Sequence, residues 1–385
     1  MSDRSTKRES GFSLMEMVVA VGLGSIVLGA AVQLYTQGVG ATWTVSQRAE
    51  LQQDFRAASD MLTRDLSLAG AGLPNGAAIA LPSTTTPVYG CDQTPTCYIT
   101  ATYPLQGATP YLYGLIPGYD LGPTLNSLTT DVVTVVYTDS TFYLNCYQAT
   151  VTAKSVVTFA PPPSPTAWPT PGCLPSGVTT PQAVNDTVAG LMPGDLVLMT
   201  LGGIMVVGEV TGSITTGTNS AGQTTYAVPF GNNDVLHMNQ TPTAGTGLNS
   251  VPLNATGAAP CGTGPCRLLV ITYYIDNTVS PPRLMRQVSG HTPVPVVDNI
   301  VYMKFTYDLY NDATGAPAIS QPNPGASDSA DTASVGLLPN QITKINILHM
   351  AMNSTLQGAR GGYQGLDLET SVSARNLTYV NEYPN

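Results

Sequence analysis

The sequence predicts an α+β protein: one long N-terminal helix, membrane-spanning in its first half, packed on an antiparallel β-rich head with long loop insertions. Three observations predict it. From Met17 to Gln47 there is no charged residue. From Leu51 to Ala69 apolar residues recur every three or four positions. Beyond Pro74, short runs rich in Val, Ile, Tyr and Thr alternate with stretches of Gly, Pro, Ser and Thr. The first pattern is that of a helix in an apolar medium, the second that of a one-sided helix, the third that of strands and their connections.

The helix comes first. Met17–Tyr35 is long enough to cross a bilayer at ~1.5 Å per residue. Arg4, Lys7 and Arg8 precede it, which predicts a cytoplasmic N-terminus. Gly22, Ser25 and Gly29 are small positions suited to close helix packing. Further on, Leu51, Phe55, Ala58, Leu62, Leu66 and Ala69 form an apolar stripe. Arg56–Asp60 and Asp60–Arg64 pair opposite charges at four-residue spacing on the other side. Gly70, Gly72 and Pro74 end the element. One helix is expected from about Phe12 to Ala69, its second half resting on the head. The stripe is too short to prefer a coiled coil.

The head follows. Strands are expected at Asp131–Thr138, Leu196–Met199, Met205–Val210, Leu268–Ile275, Ile300–Tyr307 and Ile342–Ala351. Val301, Met303, Phe305 and Tyr307 alternate with Tyr302, Lys304 and Thr306, as in a half-buried strand. Pro161–Pro181, Thr211–Thr225, Thr241–Pro265 and Asn311–Ser334 read as loops or insertions. Arg283 and Arg286 read as solvated or sheet-edge charges.

Composition excludes several classes of function. The chain has 385 residues, 14 Lys+Arg against 24 Asp+Glu, and a net charge of −10. A nucleic-acid binder needs a basic face, and this chain has none. The apolar fraction of 43% excludes a long disordered acidic tail. Six cysteines, Cys91, Cys97, Cys146, Cys173, Cys261 and Cys266, contain no C-x-x-C and read as disulfides in an oxidising compartment. Local pairing of Cys91 with Cys97 and Cys261 with Cys266, plus Cys146 with Cys173, is the simplest of fifteen connectivities. His237, His291 and His349 lie far apart, and no metalloprotease, phosphate-loop or serine-hydrolase motif occurs. No cofactor is expected. Asp308, Asn311 and Asp312 before Gly315 are ordinary turn chemistry without EF-hand spacing. The Asn-x-Thr triplets at Asn185, Asn254 and Asn353 are those expected by chance in a Thr-rich chain.

One residue breaks the pattern of the anchor. Glu16 sits at the start of the apolar run, where burying a carboxylate costs about 2.5–3.5 kcal/mol. Neither a cleaved secretory signal nor a plain signal anchor explains it. The order Gly11, Phe12, Glu16, then an unbroken apolar helix, resembles the N-terminus of type IV prepilins. The resemblance implies that a prepilin peptidase/methyltransferase cuts between Gly11 and Phe12 and methylates the new amine of Phe12. It implies that Glu16 pairs with an N-terminal amine and docks the subunit. The fold implied is pilin-like.

The run from Leu268 to Asp276, then Arg283–Arg286, Val297–Asp308, Ile342–His349 and Glu369–Leu377, is similar to the PilW-type minor pilins and their J-type pseudopilin counterparts. The division expected is leader 1–11, transmembrane or filament-core helix 12–36, extracytoplasmic helix 37–72 and head 73–385. Insertions fall near 161–181, 211–265 and 311–335. The partners implied are other minor pilins, the major pilin and the inner-membrane assembly platform, with no nucleic acid. The location implied is the inner membrane, with the head periplasmic, and then the pilus. A type II secretion pseudopilin, a pilus-displayed adhesin or DNA-uptake module, and an anchored enzyme are the other readings; no residue constellation supports the last. Removing the leader leaves 11 Lys+Arg against 22 Asp+Glu, a mature charge of −11.

Overall fold

The computed structural model describes residues 11–74, 78–161, 174, 181–239, 248, 251–257, 266–311, 316–324, 337–354, 363 and 365–377. The chain forms two compact units, residues 1–53 with 353–365, and residues 54–352 with 366–385. A long helix, α1 (Leu14–Ser67), opens the chain and runs from the first unit into the second. Its 54 residues correspond to about 80 Å at 1.5 Å each. It is two residues shorter at each end than the sequence predicts, within the ordinary fraying of helix ends.

Among the described residues the remaining regular structure is strand or short 3-10 turn, apart from a terminal turn at Arg375–Leu377. The first strands are β1 (Ala78–Ala80), β2 (Val88–Cys91), β3 (Cys97–Thr102), β4 (Leu105–Gln106), β5 (Thr109–Tyr113), β6 (Leu115–Gly118), β7 (Thr124–Leu125), β8 (Leu128–Thr129) and β9 (Val132–Thr138). Then come β10 (Gln148–Ala153), β11 (Val156–Ala160), β12 (Leu196–Leu201), β13 (Ile204–Glu209), β14 (Thr215–Thr218) and β15 (Thr224–Pro229). The last are β16 (Cys266–Asp276), β17 (Arg283–Val288), β18 (Val294–Asp298), β19 (Ile300–Asn311), β20 (Ala316–Gln321), β21 (Ile342–Asn353) and β22 (Gly365–Ser373).

The six strands predicted from sequence correspond to β9, β12, β13, β16, β19 and β21. Two stretches read as loops carry strands instead. Thr215–Thr218 pairs with Thr224–Ala227, a hairpin whose alternating signal is hidden because all four residues of β14 are exposed. Ala316–Gln321 pairs with β19 despite Pro317, which an outer strand tolerates. Most of 161–181 and 241–265 lies outside the described residues.

β16 organises the head. One of its edges pairs with β9, and the other pairs with β12 at its start and β17 at its end, all antiparallel. Because β16 is paired on both sides and covered on both faces, Leu268–Ile275 reads as a nearly continuous apolar run. Side chains alternate across the sheet. Leu268, Val270 and Tyr274 join a core with Ile79, Leu112, Val136 and Leu198. A second core gathers Val151, Phe159, Val197, Met199 and Val228 from β10–β12 and β15. A four-stranded sheet, β20-β19-β21-β22, stands beside the first and meets it at Asp131. The Asp131 carboxylate accepts Phe305 N–H at 2.9 Å and Lys304 Nζ at 2.6 Å, and Lys304 also pairs with Asp120. Met303, Phe305 and Tyr307 are buried, as the alternation predicts, but Val301 is only half-buried, where a register shift between Ile300 and Tyr302 interrupts the pairing.

The end of α1 is set by glycine. Gly70 N–H donates to Val136 O at 2.9 Å, so the chain leaves the helix against β9. A Cβ at Gly114 would lie 2.6 Å from Gly70 Cα and 2.7 Å from Leu377 Cδ2, so only glycine admits this approach. Cys91 and Cys97 form a disulfide across β2 and β3. Cys146 and Cys266 are each in a disulfide as well. Cys173 and Cys261 lie outside the described residues.

Candidate processing and assembly segment

Ser13 opens α1. Its carbonyl accepts Glu16 N–H at 3.0 Å and Met17 N–H at 3.1 Å, and its Oγ accepts Met15 N–H at 3.3 Å. Ser13 is thus the N-cap and Glu16 the third helical residue, where a carboxylate also complements the helix dipole. The Ser-x-x-Glu spacing is that of a capping box. It is visible in the sequence, but the apolar run beside it is the louder signal.

Beyond the cap the helix is bare. Phe12, Leu14, Met15, Met17, Val18, Val19, Val21, Leu23, Ile26, Val27, Leu28, Val32, Leu34 and Tyr35 are each more than half exposed. They lie all round the helix rather than on one stripe. None of this apolar stretch is buried. A helix apolar on every side needs lipid or other helices around it. Nothing within 4 Å would meet a Cβ at Gly22, Gly24 or Gly29, so their small size is not used inside this chain. The hydroxyls nearby are satisfied locally: Ser25 Oγ donates to Val21 O at 2.7 Å, and Thr36 Oγ1 to Gln33 O at 2.9 Å. That removes the cost of carrying them into an apolar medium. Among the described residues no ion pair reaches Glu16.

Residues 6–32 match the prokaryotic N-terminal methylation motif. This is the prepilin-type signature of type IV pilins and pseudopilins, and the chain carries it together with an α+β, pilin-like fold. The motif implies processing by a prepilin peptidase and assembly with other pilins. It fits anchorage in the inner membrane through the apolar helix, and it points to a structural role rather than an enzymatic one. No curated protein and no solved structure matches the chain.

The prepilin-type helix is held to the head by a residue that sequence reasoning passed over. Asp65, on the buried side of α1, is 5% exposed. Its carboxylate accepts Tyr273 Oη at 2.7 Å, Arg286 Nε at 2.9 Å and Tyr137 Oη at 3.4 Å. Arg286 is therefore not the solvated charge expected, because β17 turns it onto the face that meets α1. Burial alone would lower its pKa, but the bond and the charge of Asp65 raise it. Burial first, then Asp65, pushes Tyr137 up to about 12. The one signal available in sequence was the position of Asp65 between Leu62 and Leu66, on the wrong side of an amphipathic helix for an unpaired charge. Arg283 does sit at the surface, 2.9 Å from Asp298.

The remaining polar clusters are structural pairs. His291 Nε2 lies 2.8 Å from Asp195, and His349 Nδ1 lies 2.9 Å from Asp367. His237 Nδ1 meets Thr86 O at 3.1 Å. Asp308 accepts Ser320 N–H at 2.9 Å and Asn346 Nδ2 at 3.0 Å, both on one oxygen of its carboxylate. Among the described residues no group of three His, Cys, Asp or Glu is placed to hold a metal.

Proposed function

We propose that this chain is a minor pilin of the PilW type, acting in type IV pilus assembly or initiation. The observation that carries the reading is a carboxylate at the third position of a helix that is otherwise apolar on every side, inside a prepilin-type motif. Cleavage falls between Gly11 and Phe12, and Phe12 becomes the methylated N-terminus. The anchor stays attached after such a cut. Met17–Tyr35 first holds the subunit in the inner membrane, with its head in the periplasm. It then exchanges lipid for the helices of other minor pilins and the major pilin, with Gly22, Ser25 and Gly29 admitting close contact. Glu16 enters that bundle paired with an N-terminal amine, its own or a neighbour's, which offsets its desolvation. The energy of assembly comes from helix packing and this one contact; no substrate bond is broken.

The mature N-terminus tests the reading directly. Intact-mass and N-terminal analysis of the chain from membranes should show a methylated Phe12 start. Gly11→Ala should leave the full precursor. A normal Phe12 start in that variant, or a wild-type chain still beginning at Met1, would overturn it.

A further inference from the structure

Among the described residues the outer edge of β22 is open: β22 is the last strand of its sheet, with β21 beside it. It is nine residues long and alternates exposed with half-buried positions along its whole length. Exposed sheet edges are ordinarily kept short, or blunted by charged side chains, proline or a bulge, because their unpaired N–H and C=O groups accept foreign strands; the charges of β22 are Asp367 and Glu369. Four other outer strands of the head follow that rule, while β13, six residues with no proline, lysine or register shift, does not. β18 carries Pro295 and a register shift, β20 carries Pro317 and a register shift, β10 has a register shift, and β14 has four residues. β22, Gly-Leu-Asp-Leu-Glu-Thr-Ser-Val-Ser, has no proline, lysine or arginine.

Its two faces are chemically distinct. Leu366, Leu368 and Val372 lie at the half-buried positions, and Asp367 and Glu369 at the exposed ones. His349 of β21 stands on the acidic face, 2.9 Å from Asp367 and 3.7 Å from Glu369. The apolar side chains of one face are left half-buried, and the two carboxylates of the other share one histidine. Full antiparallel overlap of β22 with β22 of a second copy would set Glu369 against Glu369, with Asp367 on the same face of both strands, a like-charge arrangement that sheets disfavour.

We propose that the outer edge of β22 takes an added strand from a different protein, one alternating apolar and basic residues. The backbone ladder would supply the affinity. The apolar residues would cover Leu366, Leu368 and Val372, and the Lys or Arg residues would face Asp367 and Glu369. The chain's own strands are poor donors, because its Lys and Arg are few. This proposal stands apart from the pilus reading, since it needs neither cleavage nor filament assembly.

The test uses the full chain in detergent micelles and three nine-residue peptides: alternating Val and Lys, alternating Val and Glu, and the Val/Lys peptide with its central Val replaced by Pro. Amide hydrogen exchange is read along β22. The Val/Lys peptide should slow exchange of the β22 amides by roughly tenfold or more, and the other two should not. D367K/E369K should transfer the preference to the Val/Glu peptide. Equal effects of the Lys and Glu peptides, or none from either, would overturn the proposal. So would β22 amides already as protected as those of β21 in the free chain, whether or not removal of residues 378–385 releases them. The wild-type peptide series decides the matter even where the double variant fails to fold.

Discussion

Three carboxylates occupy three kinds of surroundings, and each makes its own prediction. Glu16 is the expensive residue of the anchor. Glu16→Val keeps the helix and removes the charge, so it should insert and be cleaved normally yet assemble poorly. Pili counted by electron microscopy, beside the mass of the membrane-held subunit, check this; unchanged piliation would remove Glu16 from the mechanism. Asp65 is paired and hydrogen-bonded inside the head. Asp65→Ala strands Arg286 and two tyrosine hydroxyls, and breaking such a pair from one side costs about 3–5 kcal/mol. Urea unfolding of the detergent-solubilised chain should show a loss of that size.

Glu209 differs from both. It is fully buried, accepts Leu236 N–H at 2.8 Å and an amide proton from Gln93, and has Asp234 nearby. Burial, reinforced by Asp234, raises its pKa to about 7. The folded state therefore holds this proton more tightly than the unfolded chain does. The contribution to stability is complete below the unfolded pKa of about 4.5 and is lost as pH rises through about 7, on the order of 3 kcal/mol in all. Glu209→Gln should flatten that slope. Urea midpoints of the two chains between pH 4.5 and 8 check the sign, and parallel curves would refute it.

At the scale of elements, α1 is one helix with two environments. Its first part is apolar all round, and its last four turns bury Phe55, Ala58, Leu62 and Leu66. Leu62→Ala and Leu66→Ala should each cost about 2–5 kcal/mol, since both side chains are completely buried. The same change at Leu23 or Leu28 should leave unfolding of the head unaltered, which thermal unfolding in micelles would show. The helix was legible because both periodicities run for many turns. The strands legible in sequence were the long, doubly covered ones such as β9 and β16. The short strands between Ala78 and Thr129 passed unread, as did the exposed hairpin at Thr215–Thr218. Ile79, Tyr89, Ile99, Leu112 and Ile116 of the former do reach the core, but runs of two to six residues are too short to set a period; the hairpin strand β14 is exposed throughout and is made a strand by its pairing.

At the scale of the whole molecule, a large β-rich head depends on pairings between residues far apart in the chain. Asp65 meets Tyr273 and Arg286, Asp131 meets Phe305, and Gln93 meets Glu209. None of these has a local signature, because each partner alone is an ordinary polar residue of a helix, turn or strand. By itself the sequence determined the apolar helix, the cap-and-carboxylate pattern at its start, the α+β class and the principal strands. Those features rest on local chemistry: solvation of an uncharged run, and periodicities of 3.6 and 2. Only the tertiary structure decided that Arg286 is a half-buried partner of the helix, that burial raises the pKa of Glu209, and that β22 is an outer strand among the described residues. Burial and pairing belong to surfaces assembled from distant segments, and the free energy of a charge or a strand edge depends on what the fold sets beside it.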